Sequence, residues 1–159
     1  MRTRYRFVFV LVLTSALALV VTASAADNNI GTWKLNPAKS KYSPGPAPRS
    51  QTLKIEAWGE DGVKYTSDGV NADGTPTHTE FQAKYDGKDY PFKGNPDADT
   101  IAYTRIDSNT CEAVTKLKGK VNIHARVIVS KDGKTLTLTQ KGTDSRGRDV
   151  NNVIVYDRQ

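Results

Sequence analysis

One cysteine in 159 residues, Cys111, excludes an intramolecular disulfide, so stability has to come from packing and sheet hydrogen bonds. With no histidine nearby in sequence, Cys111 reads as a small buried residue at a strand start, the alternative being an intermolecular or redox thiol. Histidine is nearly as scarce. His78 and His124 are the only imidazoles, on separate predicted strands and with no His-x-His or His-Glu pair, so no metal ligand set or catalytic base is assigned; each reads as solvated surface. Gly-x-Ser-x-Gly is absent, which removes the nucleophile-elbow hydrolases. Asp68, Asn71 and Asp73 alternate like calcium ligands, but no Glu closes a twelve-residue loop. No cofactor is expected. Charges interleave without a polybasic run, which argues against nucleic acid and against a membrane-surface patch.

Arg2, Arg4 and Arg6 precede an uncharged run from Phe7 to Val21, and Ala23-Ser24-Ala25 follows before Asp27-Asn28-Asn29. This is the order of an export signal, residues 1–25, cleaved after Ala25; an uncleaved anchor is the alternative. Its loss removes three of the 23 basic residues and leaves 20 against 17 acidic ones. No lipobox cysteine stands at the junction, so a protein secreted or held in the periplasm, free of the membrane and monomeric, is expected. The segment 26–159 has the size of a single domain.

From residue 50 onward apolar residues recur at period two, broken by turn signals about every ten residues, with no helical periodicity. Leu53, Ile55 and Ala57 share one face; Val63 and Tyr65, Phe81, Ala83 and Tyr85, Tyr90 and Phe92, Ile101 and Tyr103 do the same on successive strands. Val121, Ile123, Ala125, Val127 and Val129 form the best-patterned face, opposite Asn122, His124 and Arg126. Asp86-Gly87 is a tight hairpin signal. With Gly31 to Leu35 as the first strand, about ten strands follow one another at hairpin distance. The exception is Asn36 to Arg49, where Pro37, Pro44, Pro46 and Pro48 favour exposed, extended chain. An antiparallel up-and-down meander of this length removes its edges by closing into a barrel of about 8–10 strands; a β-sandwich is the alternative.

Gly31-Thr32-Trp33-Lys34-Leu35 resembles the first strand of the calycin superfamily, the lipocalins and intracellular fatty-acid-binding proteins. The resemblance implies a lipocalin-like barrel with Gly31 allowing close approach, Trp33 plugging the closed end and Arg158 lying over it through a cation–π contact. The loop from Asn36 to Arg49 stands where lipocalins carry the loop over the open end. Fatty-acid-binding proteins place two helices there, for which this loop is too proline-rich. They also grip a carboxylate with an Arg-x-Tyr pair in the last strand; here Tyr156 fits and Ile154 stands in place of the Arg.

The resemblance implies a non-catalytic protein that takes a small apolar or amphipathic ligand inside the barrel. Tyr65, Phe81, Tyr85, Tyr90, Phe92 and Tyr103 are the candidate interior residues, either as walls of a pocket or as plain core. Arg105 shares the parity of Ile101 and Tyr103, so it is a candidate inward charge for an acidic head group, against the simpler reading of a solvent-facing Arg at a strand end. The rival functional class is an envelope-structural or protein- or glycan-binding module with a solid core, which would use an exposed Trp58 or the proline loop.

Overall fold

A computed structural model describes residues 27–159; the expected export signal, residues 1–25, lies outside them. Ten strands follow in chain order: β1 (Gly31–Leu35), β2 (Ser50–Ala57), β3 (Gly62–Val70), β4 (Pro76–Lys84), β5 (Asp86–Lys93), β6 (Thr100–Arg105), β7 (Thr110–Leu117), β8 (Lys120–Val129), β9 (Thr135–Thr143) and β10 (Asp149–Arg158). Each pairs antiparallel with the next, and β1 pairs with both β2 and β10, which closes the sheet into a barrel rather than a sandwich. The register at closure sets Trp33 opposite Arg158 on one side and Leu53 on the other.

Period-two alternation puts the apolar residues inside, as the pleat requires. Leu53, Ile55, Val63, Phe81, Ala83, Ile101, Tyr103, Val127, Val129 and Leu136 are all buried in one cluster. Three positions depart from the simple pattern. Val121 is 51 % exposed instead of sharing the inner face of Ile123, because a bulge where β7 meets β8 shifts the register between Thr115 and Lys116. Ala57, at the end of β2, is exposed. On β10 both faces are covered near the end: Ile154 and Tyr156 point in, while Val155 is buried on the outside. There a 3-10 turn, Pro37–Lys39, packs on β10, with Asn36 N donating to Val155 O at 2.8 Å and Val155 N donating to Ser40 Oγ at 2.9 Å.

The β4–β5 hairpin is the other departure. Its ladder holds only at Glu80–Lys93 and Phe81–Phe92, and the strands part toward the turn. Asp86 pairs instead with Thr104 of β6, Tyr85 N donates to Asp61 O at 3.0 Å, and Pro91 has no N–H to offer. The tight Asp86-Gly87 hairpin expected from the sequence is therefore splayed.

Gly31 has φ +150°, and a Cβ there would run into the Arg158 guanidinium, so the closing of the barrel at β1 depends on a glycine.

Candidate functional site

The end of the barrel that carries Trp33 is filled. Trp33 is fully buried; its indole N–H donates to Asn29 O at 2.8 Å, and the Arg158 guanidinium lies 4.1 Å from its ring centroid. Arg158 is held by three carbonyls, Gly133, Ile30 and Asn28, at 2.6, 2.9 and 2.7 Å. Beside it, Asp27 accepts from Asn29 N and Nδ2, from the Tyr85 hydroxyl and from Arg105, and Asn29 Nδ2 reaches Cys111 Sγ at 3.0 Å. Arg105 also pairs with Asp61 at 3.1 Å and lies 4.1 Å from the Tyr85 ring centroid. Burial is the main reason the Tyr85 hydroxyl is strongly raised and the Cys111 thiol is pushed up to about 12, so Cys111 is a protonated core residue at neutral pH.

Away from this plug the interior is hollow. A cavity of about 370 Å³ runs from the middle of the barrel to the opposite rim. Its aliphatic walls come from residues such as Leu53, Ile101, Ile123 and Leu136. One side is aromatic: Tyr65 and Phe81 stack with centroids 4.6 Å apart and an interplanar angle of 11°, Phe92 meets Phe81 edge-on at 5.3 Å, and Tyr103 closes on Phe81 at 5.6 Å.

Polar groups enter this apolar space in a short chain. The Tyr156 hydroxyl donates to Gln51 Oε1 at 2.8 Å, and Gln51 Nε2 donates to Ser67 Oγ at 2.8 Å. Tyr42 belongs to the loop over the open end; its hydroxyl is buried and has no hydrogen-bond partner. Burial raises all three phenols. It pushes Tyr42 up to about 12, with the neighbouring Tyr65 adding to it; it pushes Tyr65 up to about 12 against the opposing Ser67 and Thr79 hydroxyls; and it sets Tyr156 well above its ordinary value. At neutral pH the three are uncharged donors.

The loop owes its position to its prolines and its anchors. Lys41 pairs with Val153 of β10 in both directions at 2.7 and 2.9 Å, and Asn151 N donates to Ser43 O at 2.7 Å. At its far end Arg49 N donates to Val70 O at 2.8 Å and Arg49 Nε donates to Ala72 O at 3.0 Å. Between these anchors Tyr42, Pro46 and Pro48 face the cavity. The rim is completed by Asn71, Asn95, Asp97 and Asp144.

Of the interior residues expected from sequence, Tyr65, Phe81, Phe92 and Tyr103 line the cavity, and Tyr85, Tyr90 and Arg105 do not. Tyr85 and Arg105 are bound into the plug with Asp27, so Arg105 is not a head-group clamp. Tyr90 sits where β4 and β5 part, its hydroxyl donating to Asp86 Oδ2 at 3.0 Å; the splayed hairpin tips it into an outer cleft. That cleft, about 340 Å³, is lined by Trp58, Lys64, Glu80, Phe81, Pro91 and Lys93 among others, and Trp58 is half-buried in it rather than freely exposed. His78 lies 2.7 Å from Asp68 across the outer face of β3 and β4, while His124 is on β8, so the two histidines do not converge. Asp73 accepts from Thr75 N at 2.9 Å, which accounts for the Asp68–Asp73 alternation as local turn chemistry.

The cavity residues not assigned to the interior from sequence include Tyr42, Gln51, Ser67 and Tyr156, the last noted only for its place in the last strand. Three carried a signal: Gln51 shares the parity of Leu53, Ser67 that of Tyr65, and Tyr156 that of Ile154. Tyr42 carried none, since it lies in an aperiodic loop.

No protein-family model matches this sequence, and no curated protein sequence matches it. Among solved structures, the fluorescent protein UnaG is similar with a TM-score of 0.54 at 17 % identity, over 82 % of this chain and 96 % of that one. Zebrafish ileal bile acid-binding protein, complexed with cholic acid, gives a TM-score of 0.47 at 10 % identity over 83 % of this chain and 98 % of that one. The fold is a closed ten-stranded antiparallel barrel of the kind seen in the UnaG structure.

Proposed function

We propose that this chain is an exported, non-catalytic monomer that binds a small apolar or amphipathic molecule inside its barrel, using the loop from Asn36 to Arg49 as a cover. The observation that supports it is the cavity of about 370 Å³, mostly apolar with a few convergent polar groups, in a barrel whose other end is solidly plugged. The test is solvent extraction of the native protein followed by mass spectrometry, together with titration by diphenylhexatriene, an uncharged fluorescent hydrocarbon. A recovered small molecule, or saturable enhancement at one site per chain, is expected. Neither appearing would overturn the proposal.

A second reading rests on the outer cleft, where Trp58 and Tyr90 flank the opening between β4 and β5. It makes that face a contact for a protein or glycan of the envelope. Pull-down with the wild type and a Trp58→Ala variant separates the two: partners lost with Trp58 favour the outer face, and an unchanged profile sets it aside.

A further inference from the structure

Among the described residues, the cavity lining includes no Lys, Arg or His, and its charged residues are Asp97 and Asp144, both at the rim. These two acids already have local partners: Asp97 Oδ1 accepts from Ser145 N and Oγ at 3.0 and 2.6 Å, and Asp144 pairs with Arg148 at 2.7 Å. Arg105, which sequence parity points inward, is locked to Asp27 and Asp61 in the plug, and Arg158, on the parity of Ile154 and Tyr156, is held there by three carbonyls. What the interior does offer is neutral donors. Tyr156, Gln51 and Ser67 are bonded to one another, whereas the buried Tyr42 hydroxyl has no partner. A buried hydroxyl without a partner is costly, and a small shift of the loop that opens it to the cavity lets an acceptor on a ligand recover that cost. An ionised carboxylate placed there would lose its water and meet no counter-charge.

We infer that, given the proposed cavity binding, the site selects an uncharged lipophile carrying a carbonyl, ether or hydroxyl oxygen, which accepts a hydrogen bond from Tyr42, and rejects the corresponding carboxylate. The aromatic side formed by Tyr65, Phe81 and Phe92 then takes the apolar body, and the loop from Asn36 to Arg49 brings its own hydroxyl to the ligand as it covers it.

The experiment uses three retinoids of one carbon skeleton, retinal, retinol and retinoic acid, competing with diphenylhexatriene at pH 7.5 on the purified mature protein. Retinal and retinol are expected to displace the reporter with affinities at least about tenfold above that of the ionised acid. In Tyr42→Phe, affinity for retinal is expected to fall about three- to tenfold, the value of one neutral hydrogen bond, while affinity for diphenylhexatriene, which has no acceptor, stays unchanged and the urea midpoint stays the same or rises as the unpartnered hydroxyl is removed. Diphenylhexatriene binding with retinoic acid competing as well as retinal would overturn the selectivity and leave the cavity reading intact. Equal loss of retinal and diphenylhexatriene in Tyr42→Phe would overturn the role of the hydroxyl. Failure of diphenylhexatriene to bind at all would overturn the cavity reading, and the selectivity with it.

Discussion

At the Trp33 end of the barrel polar atoms meet in a dense set of partners: three carbonyls around Arg158, and Asn29, Tyr85 and Arg105 around Asp27. At the other end Tyr156, Gln51 and Ser67 make one short chain, the Tyr42 hydroxyl stands alone, and about 370 Å³ is left unfilled. The same ten strands build both ends, so the difference lies in which side chains project inward at each level. Large and densely bonded groups at one end supply cohesion, although Asn29 Oδ1 and Arg105 Nε find no partner there; the other end gives up packing, which in a close-packed protein interior costs stability and marks a place where something else is accommodated.

Alkali should weaken both ends at once and have the largest effect. Tyr42 and Tyr65 at the open end and Cys111 at the closed end keep their protons to about 12, against ordinary values of 10.0 for the phenols and 9.0 for the thiol. Above about pH 9 the unfolded chain starts to release protons that the folded chain retains. The stabilisation is therefore full below pH 9 and is lost as pH rises through 12. Urea midpoints measured at pH 8, 10 and 11.5 should fall in that order, and a flat series would contradict the burial of these groups.

Among substitutions, Trp33→Ala should cost the most, about 3–5 kcal/mol in equilibrium unfolding, because it empties the plug and strands Arg158 over a void. Asp27→Ala follows at about 3 kcal/mol, since it removes the shared acceptor of Tyr85, Asn29 and Arg105 while leaving Arg105 its second carboxylate, Asp61. At the open end the balance between stability and binding reverses. Ala125→Phe, projecting into the cavity, should abolish saturable diphenylhexatriene binding while changing stability by no more than about 1–2 kcal/mol. Tyr156→Phe should be mildest, about 1 kcal/mol, for the lost bond to Gln51. A cavity variant more damaging to stability than Trp33→Ala would erase the distinction between the ends.

Most of the barrel was legible because its information is local. Period-two alternation and acidic-glycine turns placed all ten strands, and the four prolines marked the one long loop. What escaped depends on distant partners. The splaying of β5 toward β6 is decided by Asp61 and Thr104, far from the Asp86-Gly87 turn that signals the hairpin. Arg105 faces inward as its parity allows, yet only the fold reveals that Asp27 and Asp61 meet it. Gln51 and Ser67 lie on inward-facing positions, but a polar residue there reads as an irregularity until the Tyr156 hydroxyl is seen to reach it. Tyr42 was hidden altogether, since its burial comes from the anchoring of an aperiodic loop on β10.

The central claim is that ligand enters the open end and leaves the plug untouched. Its most direct test is an NMR titration of the mature protein with retinal, following the methyls of Leu53, Ile101, Ile123 and Leu136, the Trp33 and Trp58 indole N–H signals, and the amides of the non-proline residues in 41–50. The account predicts saturating shifts in those methyls and in the 41–50 amides, with both indole signals still. Shifts confined to Trp58 and the outer cleft, or centred on Trp33, would contradict it.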